Sequence, residues 1–196
     1  MTKISLRPAR KSDAADLAIL DNLASHGMSA WFWQKEFGPL EVALCLGRSR
    51  FAMSDAVYGW SNSLVAVDED DCILGVACGY EMPETDKEVE YIKKEAKPFA
   101  PVFELFEQTV GNWLIDTLAV YPEFQRKGIA SRLLDASLAQ AREAQMTYAS
   151  LVVEDSNAAA NALYVSRNFK IRETRPYVEF NGPSETKYWQ LMTAQI

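Results

Sequence analysis

The chain has 196 residues, 48% of them hydrophobic, with nine Gly and eight Pro. That is enough apolar material for one packed core, and it excludes a disordered, fibrous or low-complexity protein. Twenty Lys and Arg against 27 Asp and Glu leave a net charge of −7, so nucleic acid and anionic membrane surfaces are not expected partners.

The three cysteines, Cys45, Cys72 and Cys78, form no CxxC pair. They specify neither a disulfide framework nor a metal site and read as small buried apolar residues of a reducing compartment. Met1 to Leu6 lacks the apolar run of a secretory signal, and no stretch approaches the roughly 20 apolar residues of a membrane span. A single cytoplasmic domain over 1–196 is expected.

Ile4 and Leu6 open the chain as a short strand ending at Arg7-Pro8, after which Ser12 or Asp13 can cap a helix. Leu17, Leu20 and Ala24 give that helix one apolar face to about Ser25, and His26-Gly27 resembles a helix carboxyl end. An aromatic-rich helix is expected from Ser29 to about Leu46. Its cluster Trp31, Phe32, Trp33 and Phe37 suits core or lid packing, or an acceptor pocket.

Leu64–Val67 and Ile73–Tyr80 are apolar runs separated by four acidic residues, Asp68 to Asp71, and predict an antiparallel hairpin. From 83 to 111 the composition shifts to Glu and Lys, with Val89, Ile92 and Ala96 at helical spacing, which predicts a helical insertion. Trp113–Val120 is the next strand, and 128–144 has helical composition with Ile129, Leu133, Leu134, Ala136 and Leu138 inside. A strand over Tyr148–Val153, a helix over Asn157–Arg167 and strands over Ile171–Phe180 and Lys187–Thr193 follow. This order predicts an α/β (α+β) fold with a mixed sheet and a parallel crossover between Trp113 and Val153. Terminal strands pairing at a sheet edge offer a route to a homodimer.

The segment Gln125-Arg126-Lys127-Gly128-Ile129-Ala130 joins a strand to a helix. The first amides of a helix lack internal partners, and the local positive potential there favours phosphate. Arg126 and Lys127 add cations, and Gly128 lets a ligand approach the backbone. A solvated basic turn at a helix start is the plainer reading. Neither a Walker A loop nor the GxGxxG fingerprint is present, which disfavours nucleotide hydrolysis and Rossmann hydride transfer.

Ile115 through Ala130, IDTLAVYPEFQRKGIA, resembles motif A of the GNAT N-acetyltransferase superfamily, Q/R-x-x-G-x-G/A. Gln125, Gly128 and Ala130 meet it. Asn157 through Tyr164 is similar to the family's second acetyl-CoA segment, so the resemblance covers about Trp113 to Phe169. It implies a mostly antiparallel twisted sheet flanked by helices, with a central parallel strand pair that splays at the cofactor site. It also implies acetyl-CoA as cofactor without a metal, and a small-molecule or peptide amine as acceptor. Asn168-Phe169 stands where the family usually has Gly-Phe, and Asn tolerates the same left-handed backbone.

On this resemblance, the amides of Arg126 to Ala130, with Gln125 and Ser131 beside them, hold the pyrophosphate. The backbone of Leu118, Ala119 and Val120 meets the pantetheine arm. Asn157, Asn161 and Tyr164 lie at i, i+4 and i+7 and share one helix face, where Asn157 either caps the helix or touches the cofactor. Tyr164 is the candidate general acid: a phenol of ordinary pKa about 10 stays protonated at neutral pH and can donate to a departing thiolate.

Some family members carry a glutamate at the position of Leu114. Asp116, two residues onward on the same strand face, is the first candidate base, with Glu81, Glu154, Asp155 or an ordered water as alternatives. His26, the single histidine, suits a helix end and can also face the acceptor. The expected activity is direct acetyl transfer from acetyl-CoA to a primary amine. A non-catalytic CoA-binding regulatory domain and a nucleotide-phosphate-binding α/β protein are the alternatives.

Overall fold

The computed structural model describes residues 3–37, 40–53, 57–84 and 97–196. Strands β1 (Ser5–Pro8), β2 (Ser63–Val67), β3 (Ile73–Glu81), β4 (Trp113–Val120), β5 (Tyr148–Glu154), β6 (Lys170–Pro176) and β7 (Tyr188–Gln195) form one sheet in the order β1-β2-β3-β4-β5-β7-β6. The described helices are α1 (Ala14–Ala24), α2 (Met28–Phe37), α3 (Leu40–Phe51), α4 (Ala100–Glu107), α5 (Ile129–Glu143) and α6 (Ala158–Val165). β4 and β5 run parallel, with Trp113 opposite Ala149 and Leu114 opposite Ser150, while β1–β2, β2–β3, β5–β7 and β6–β7 are antiparallel. This is the mixed, mostly antiparallel sheet expected. Among the described residues no helix is long and apolar enough to cross a membrane.

The chain divides into two compact units, Met1–Tyr80 with Ile115–Ala139 and Glu81–Leu114 with Gln140–Ile196. In the first, β2 is buried along its whole length. Val65 and Val67 pack with Leu17, Leu20 and Phe51 on one face, and Leu64 and Ala66 pack with Leu74, Ile129 and Leu133 on the other. Two-sided burial explains why this strand reads as a continuous apolar run.

Asp13 closes the turn before α1 by accepting from the Arg10 amide at 2.7 Å, and it pairs with Arg7 at 2.7 Å. Arg7 and Arg10 also reach Asp71 in the β2–β3 turn, where Asp71 adopts φ 62°. α1 ends as its sequence predicts: His26 and Gly27 take positive φ, and the Gly27 amide returns to the Asn22 carbonyl at 2.8 Å.

In the second unit, the Phe99 ring lies 5.7 Å from Phe180 and 6.2 Å from Trp189, and Tyr177 lies 4.7 Å from Trp189. Arg175 of β6 binds Glu104 of α4 at 2.9 Å. A partly buried polar line runs from Asn112 to the buried Ser150 at 2.8 Å and on to Thr193 at 3.2 Å. These bonds satisfy hydroxyls inside the sheet, where an unpaired one is costly.

Three expectations need adjustment. The aromatic-rich segment is two helices, α2 and α3, and the second runs on to Phe51; Pro39 between them lacks the amide hydrogen that a continuous helix needs. Of the cysteines only Cys78 is buried, because Cys72 precedes β3 beside the acidic turn and Cys45 lies on an exposed part of α3. Of the terminal strands only β1 lies at a sheet edge. β7 is internal because Trp189, Leu191, Met192 and Ala194 need burial, whereas the edge strand β6 carries Lys170, Arg172, Arg175, an irregular register and Pro176, all of which discourage a further strand. Within 83–111 the described residues include the helix α4, and Val89, Ile92 and Ala96 lie outside the described residues.

Candidate functional site

β4 ends at Val120, a short 3-10 turn covers Pro122–Phe124, and α5 starts at Ile129. Between them Arg126 takes φ 62° and Gly128 φ 77°. Two left-handed residues flanking one ordinary one curl the backbone into a concave turn, the shape of an anion nest. Among the described residues, no hydrogen bond satisfies the amides of Arg126 through Ser131; the first return is from the Arg132 amide to the Gly128 carbonyl at 3.2 Å. These donors sit at the positive end of α5, a 15-residue helix. A Cβ built on Gly128 meets nothing within 4 Å, so the space above the turn is open.

Arg126 and Lys127 are exposed, and the Lys127 ammonium stands 5.0 Å from the centre of the Phe124 ring. Gln125 donates from Nε2 to the Val120 carbonyl at 3.2 Å, tying the turn to the strand that feeds it. Ile129 is buried with Leu133 and anchors the helix start, Ala130 is half-buried, and Ser131 is half-buried one residue on.

The end of β4 is held on one edge by β3, where the Tyr121 amide donates to the Leu74 carbonyl at 3.0 Å. Gly75 lies so close that a Cβ there would stand 2.6 Å from the Ala119 carbonyl oxygen. Alternation along a strand therefore directs the Ala119 carbonyl toward β3 and the backbone groups of Leu118 and Val120 toward the opposite edge. The Leu118 and Val120 side chains belong to the core around Leu133.

α1 braces this strand. Thr117 donates to Asp21 at 2.6 Å, and the Tyr121 hydroxyl donates to Asp16 at 2.8 Å. Burial and the Asp16 carboxylate push the Tyr121 hydroxyl well above its ordinary pKa. Sequence reasoning missed Asp16, Asp21 and Phe124. The available signal was two acids on the helix that carries the apolar face, and an aromatic residue three positions before Lys127.

In the second unit, Asn157 caps α6 by accepting from the Ala160 amide at 3.1 Å. Asn161 donates to the carbonyls of Glu154 at 3.0 Å and Asn157 at 2.9 Å. Both asparagine side chains thus secure the passage from β5 into α6, and Tyr164 is the buried residue of that helix. Asn168 takes φ 64°, the left-handed backbone that the Gly-to-Asn departure calls for. The chain folds back so that the Phe169 amide reaches the Tyr164 carbonyl at 3.1 Å and the two rings pack 5.9 Å apart.

Burial pushes the Tyr164 hydroxyl up to about 12. Among the described residues that hydroxyl has no hydrogen-bond partner, yet it is not sealed off as a buried unsatisfied atom. Among the described residues it is a protonated donor without an acceptor across the neutral range.

The candidate bases differ. Asp116 is half-buried on β4, and after burial itself its charge is the main influence that raises the Cys78 thiol. Asp155 accepts from the amides of Lys187 at 2.9 Å and Tyr188 at 3.2 Å, a structural staple. Glu154 accepts from the Thr186 hydroxyl at 3.2 Å, and Glu81 is exposed at the end of β3. His26 is exposed just beyond α1. Trp33 is buried and Trp31 and Phe32 are half-buried, while the Phe37 side chain lies outside the described residues.

A sequence profile described as the acetyltransferase (GNAT) family matches residues 26–169. The chain belongs to the GNAT family of acetyltransferases. No curated protein matches it by sequence. Its fold is similar to that of yncA from Salmonella typhimurium, solved with acetyl-CoA, at 18% identity and TM-score 0.61 over 98% of this chain and 94% of the other. The Drosophila melanogaster polyamine N-acetyltransferase aligns at 13% identity and TM-score 0.67 over 99% and 100% of the two chains. The Escherichia coli ribosomal-protein-S18-alanine N-acetyltransferase aligns at 16% identity and TM-score 0.61 over 99% and 94%.

This GNAT protein is an acyltransferase of a family that draws its acetyl group from acetyl-CoA. Its donor set fits the phosphates of that molecule: unpartnered amides, a guanidinium and an ammonium around an open turn. Among the described residues no group of three or more His, Cys, Asp or Glu is placed to hold a metal ion.

Proposed function

We propose that this protein transfers the acetyl group of acetyl-CoA to a primary amine by direct attack on the thioester, with Tyr164 as the proton donor to the departing sulfur. The observation that carries the reading is the row of unpartnered amides from Arg126 through Ser131 at the head of α5. Acetyl-CoA, when bound, supplies the activated thioester. The Arg126–Ser131 turn holds its phosphates, and the outward backbone groups of Leu118 and Val120 accept its pantetheine amides. The family resemblance implies a splay of the central strand pair that makes room for that arm.

A phenol of pKa about 12 is a weaker acid than a thiol of about 8.5. Tyr164 therefore stabilises the leaving thiolate chiefly by hydrogen bonding in the transition state, with proton transfer completed as the amine loses its own proton. Asp116 is the first candidate to receive that amine proton. Asn157 and Asn161 contribute by fixing the helix that carries Tyr164, and Asn161 also stands on the face expected to meet the cofactor. The acceptor is an amine of a small molecule or a peptide; the Drosophila protein is named for a polyamine and the Escherichia coli protein for an alanine of a ribosomal protein.

Thiol release from acetyl-CoA against a panel of polyamines, amino acids and peptide amino termini tests the reading. Tyr164→Phe is expected to lower kcat by about 10²–10⁴ while the acetyl-CoA Kd stays within about twofold. Unchanged turnover would remove Tyr164 from its role. Tight acetyl-CoA binding with no turnover on any amine would favour a regulatory domain.

A further inference from the structure

Lys127 differs from an ordinary surface lysine in what surrounds its charge. Its ammonium stands 5.0 Å from the centre of the Phe124 ring, within the range of a cation–π contact. Among the described residues no carboxylate pairs with it. Phe124 is itself fixed. It closes the 3-10 turn, its amide donates to the Tyr121 carbonyl at 2.9 Å, and its ring packs against the cluster of Val120, Ile129 and Leu133. The ring is thus part core and part platform, and it lies two residues before the turn with the unpartnered amides.

A free lysine side chain loses considerable rotamer freedom when a ligand immobilises it. A platform that restricts the ammonium beforehand removes part of that cost, and binding tightens without any new ligand contact. The quadrupole of the ring attracts the cation but cannot neutralise it, so the charge remains available to a phosphate. A carboxylate in the same place would hold the lysine equally well and repel the donor.

We propose that Phe124 is a positioning residue for the acetyl donor, its ring face holding the Lys127 ammonium ready for a donor phosphate. The proposal rests on the reading of the Arg126–Ser131 turn as the phosphate cradle.

A double-mutant cycle on acetyl-CoA binding tests it, with calorimetry at several salt concentrations on the wild type, Phe124→Leu, Lys127→Gln, the double variant and Phe124→Trp. Phe124→Leu is expected to weaken binding about two- to fivefold and to flatten the salt dependence toward that of Lys127→Gln. The same change made in the Lys127→Gln background should cost nothing further, and Phe124→Trp, which keeps a ring face, should retain wild-type affinity. Equal losses in both backgrounds, or an unchanged salt dependence in Phe124→Leu, would show a packing role alone and overturn the proposal while leaving the cradle intact. Failure of the folded wild type to bind acetyl-CoA would overturn both. Repeating the cycle with the 3′-dephospho compound identifies the phosphate. Coupling that persists supports a contact with the pyrophosphate, and coupling that vanishes supports one with the 3′-phosphate.

Discussion

In the proposed reaction the Arg126–Ser131 turn works through backbone groups, whereas α6 works through one side chain. In the turn, two left-handed residues aim a row of amides, and the side chains there add charge to a site that the backbone has already shaped. In α6, the backbone is ordinary and everything depends on where one phenol sits. Its burial, its packing on Phe169 and the two asparagines that secure the helix start fix that position. A backbone site is therefore sensitive to conformation and tolerant of side-chain exchange. A side-chain site is the reverse, and loss of one oxygen removes its chemistry.

Gly128→Val should separate the two most strongly after Tyr164→Phe itself. Valine at φ 77° meets a left-handed penalty of about 1–2 kcal/mol, and its branches enter the open space above the turn, so an acetyl-CoA Kd raised about tenfold or more is expected. Calorimetric titration checks this, and wild-type affinity would show that the backbone shape matters less than the charges.

Gly75→Ala probes the strand that feeds the turn. Its new Cβ would meet the Ala119 carbonyl oxygen at 2.6 Å, and backbone cannot swing aside as a side chain does. A loss of about 1–3 kcal/mol is expected, visible as a Tm lower by about 2–4 °C per kcal/mol. A melting curve superimposable on the wild type would sink the idea that β3 is pressed against the end of β4.

Arg7→Ala provides a control remote in sequence from both sites. The Asp13 carboxylate is 9% exposed; burial opposes its charge, but the Arg7 hydrogen bond and the Arg10 amide outweigh that and hold its pKa below the ordinary value. The stabilisation is present above the unfolded value of about 4 and fades as pH falls through the lower folded value. Urea denaturation should show Arg7→Ala weaker by about 1–3 kcal/mol at neutral pH. The gap should close in acid, and a gap independent of pH would contradict the assignment.

The smallest effect is expected from Arg126→Gly. Glycine relieves the strain at φ 62° but loosens the unfolded chain, so stability should change by no more than about 1 kcal/mol. Loss of the guanidinium should weaken acetyl-CoA about two- to fivefold. A loss approaching that of Gly128→Val would mean that the side chain, and not the backbone, dominates the turn.

Much of this was legible in the residues. The strand-turn-helix over 113–143 follows from an apolar run, Tyr121-Pro122 and an amphipathic helix, and the motif residues Gln125, Gly128 and Ala130 fall where the backbone makes its turn. Asn168 could be read as left-handed because few residues besides glycine tolerate that conformation. The position of β7 between β5 and β6 was not legible, since strand order depends on which apolar face finds a partner across the sheet. Nor were the Asp16 and Asp21 braces, because a carboxylate on a helix reads as a solvated group until its partner from a distant strand is known.

The sequence by itself determined the family, most of the elements and the candidates for meeting an anion or donating a proton, because motif spacing, turn chemistry and periodicity are local properties. Only the tertiary structure decided that Asn157 and Asn161 spend hydrogen bonds on the helix start, that Tyr164 is buried with its pKa raised, and that Phe124 lies beneath Lys127. Those facts depend on burial and on which side-chain conformers the packing selects, even where the partners lie within a turn or two of the chain. Desolvation and packing are set by whatever the finished fold places around a group.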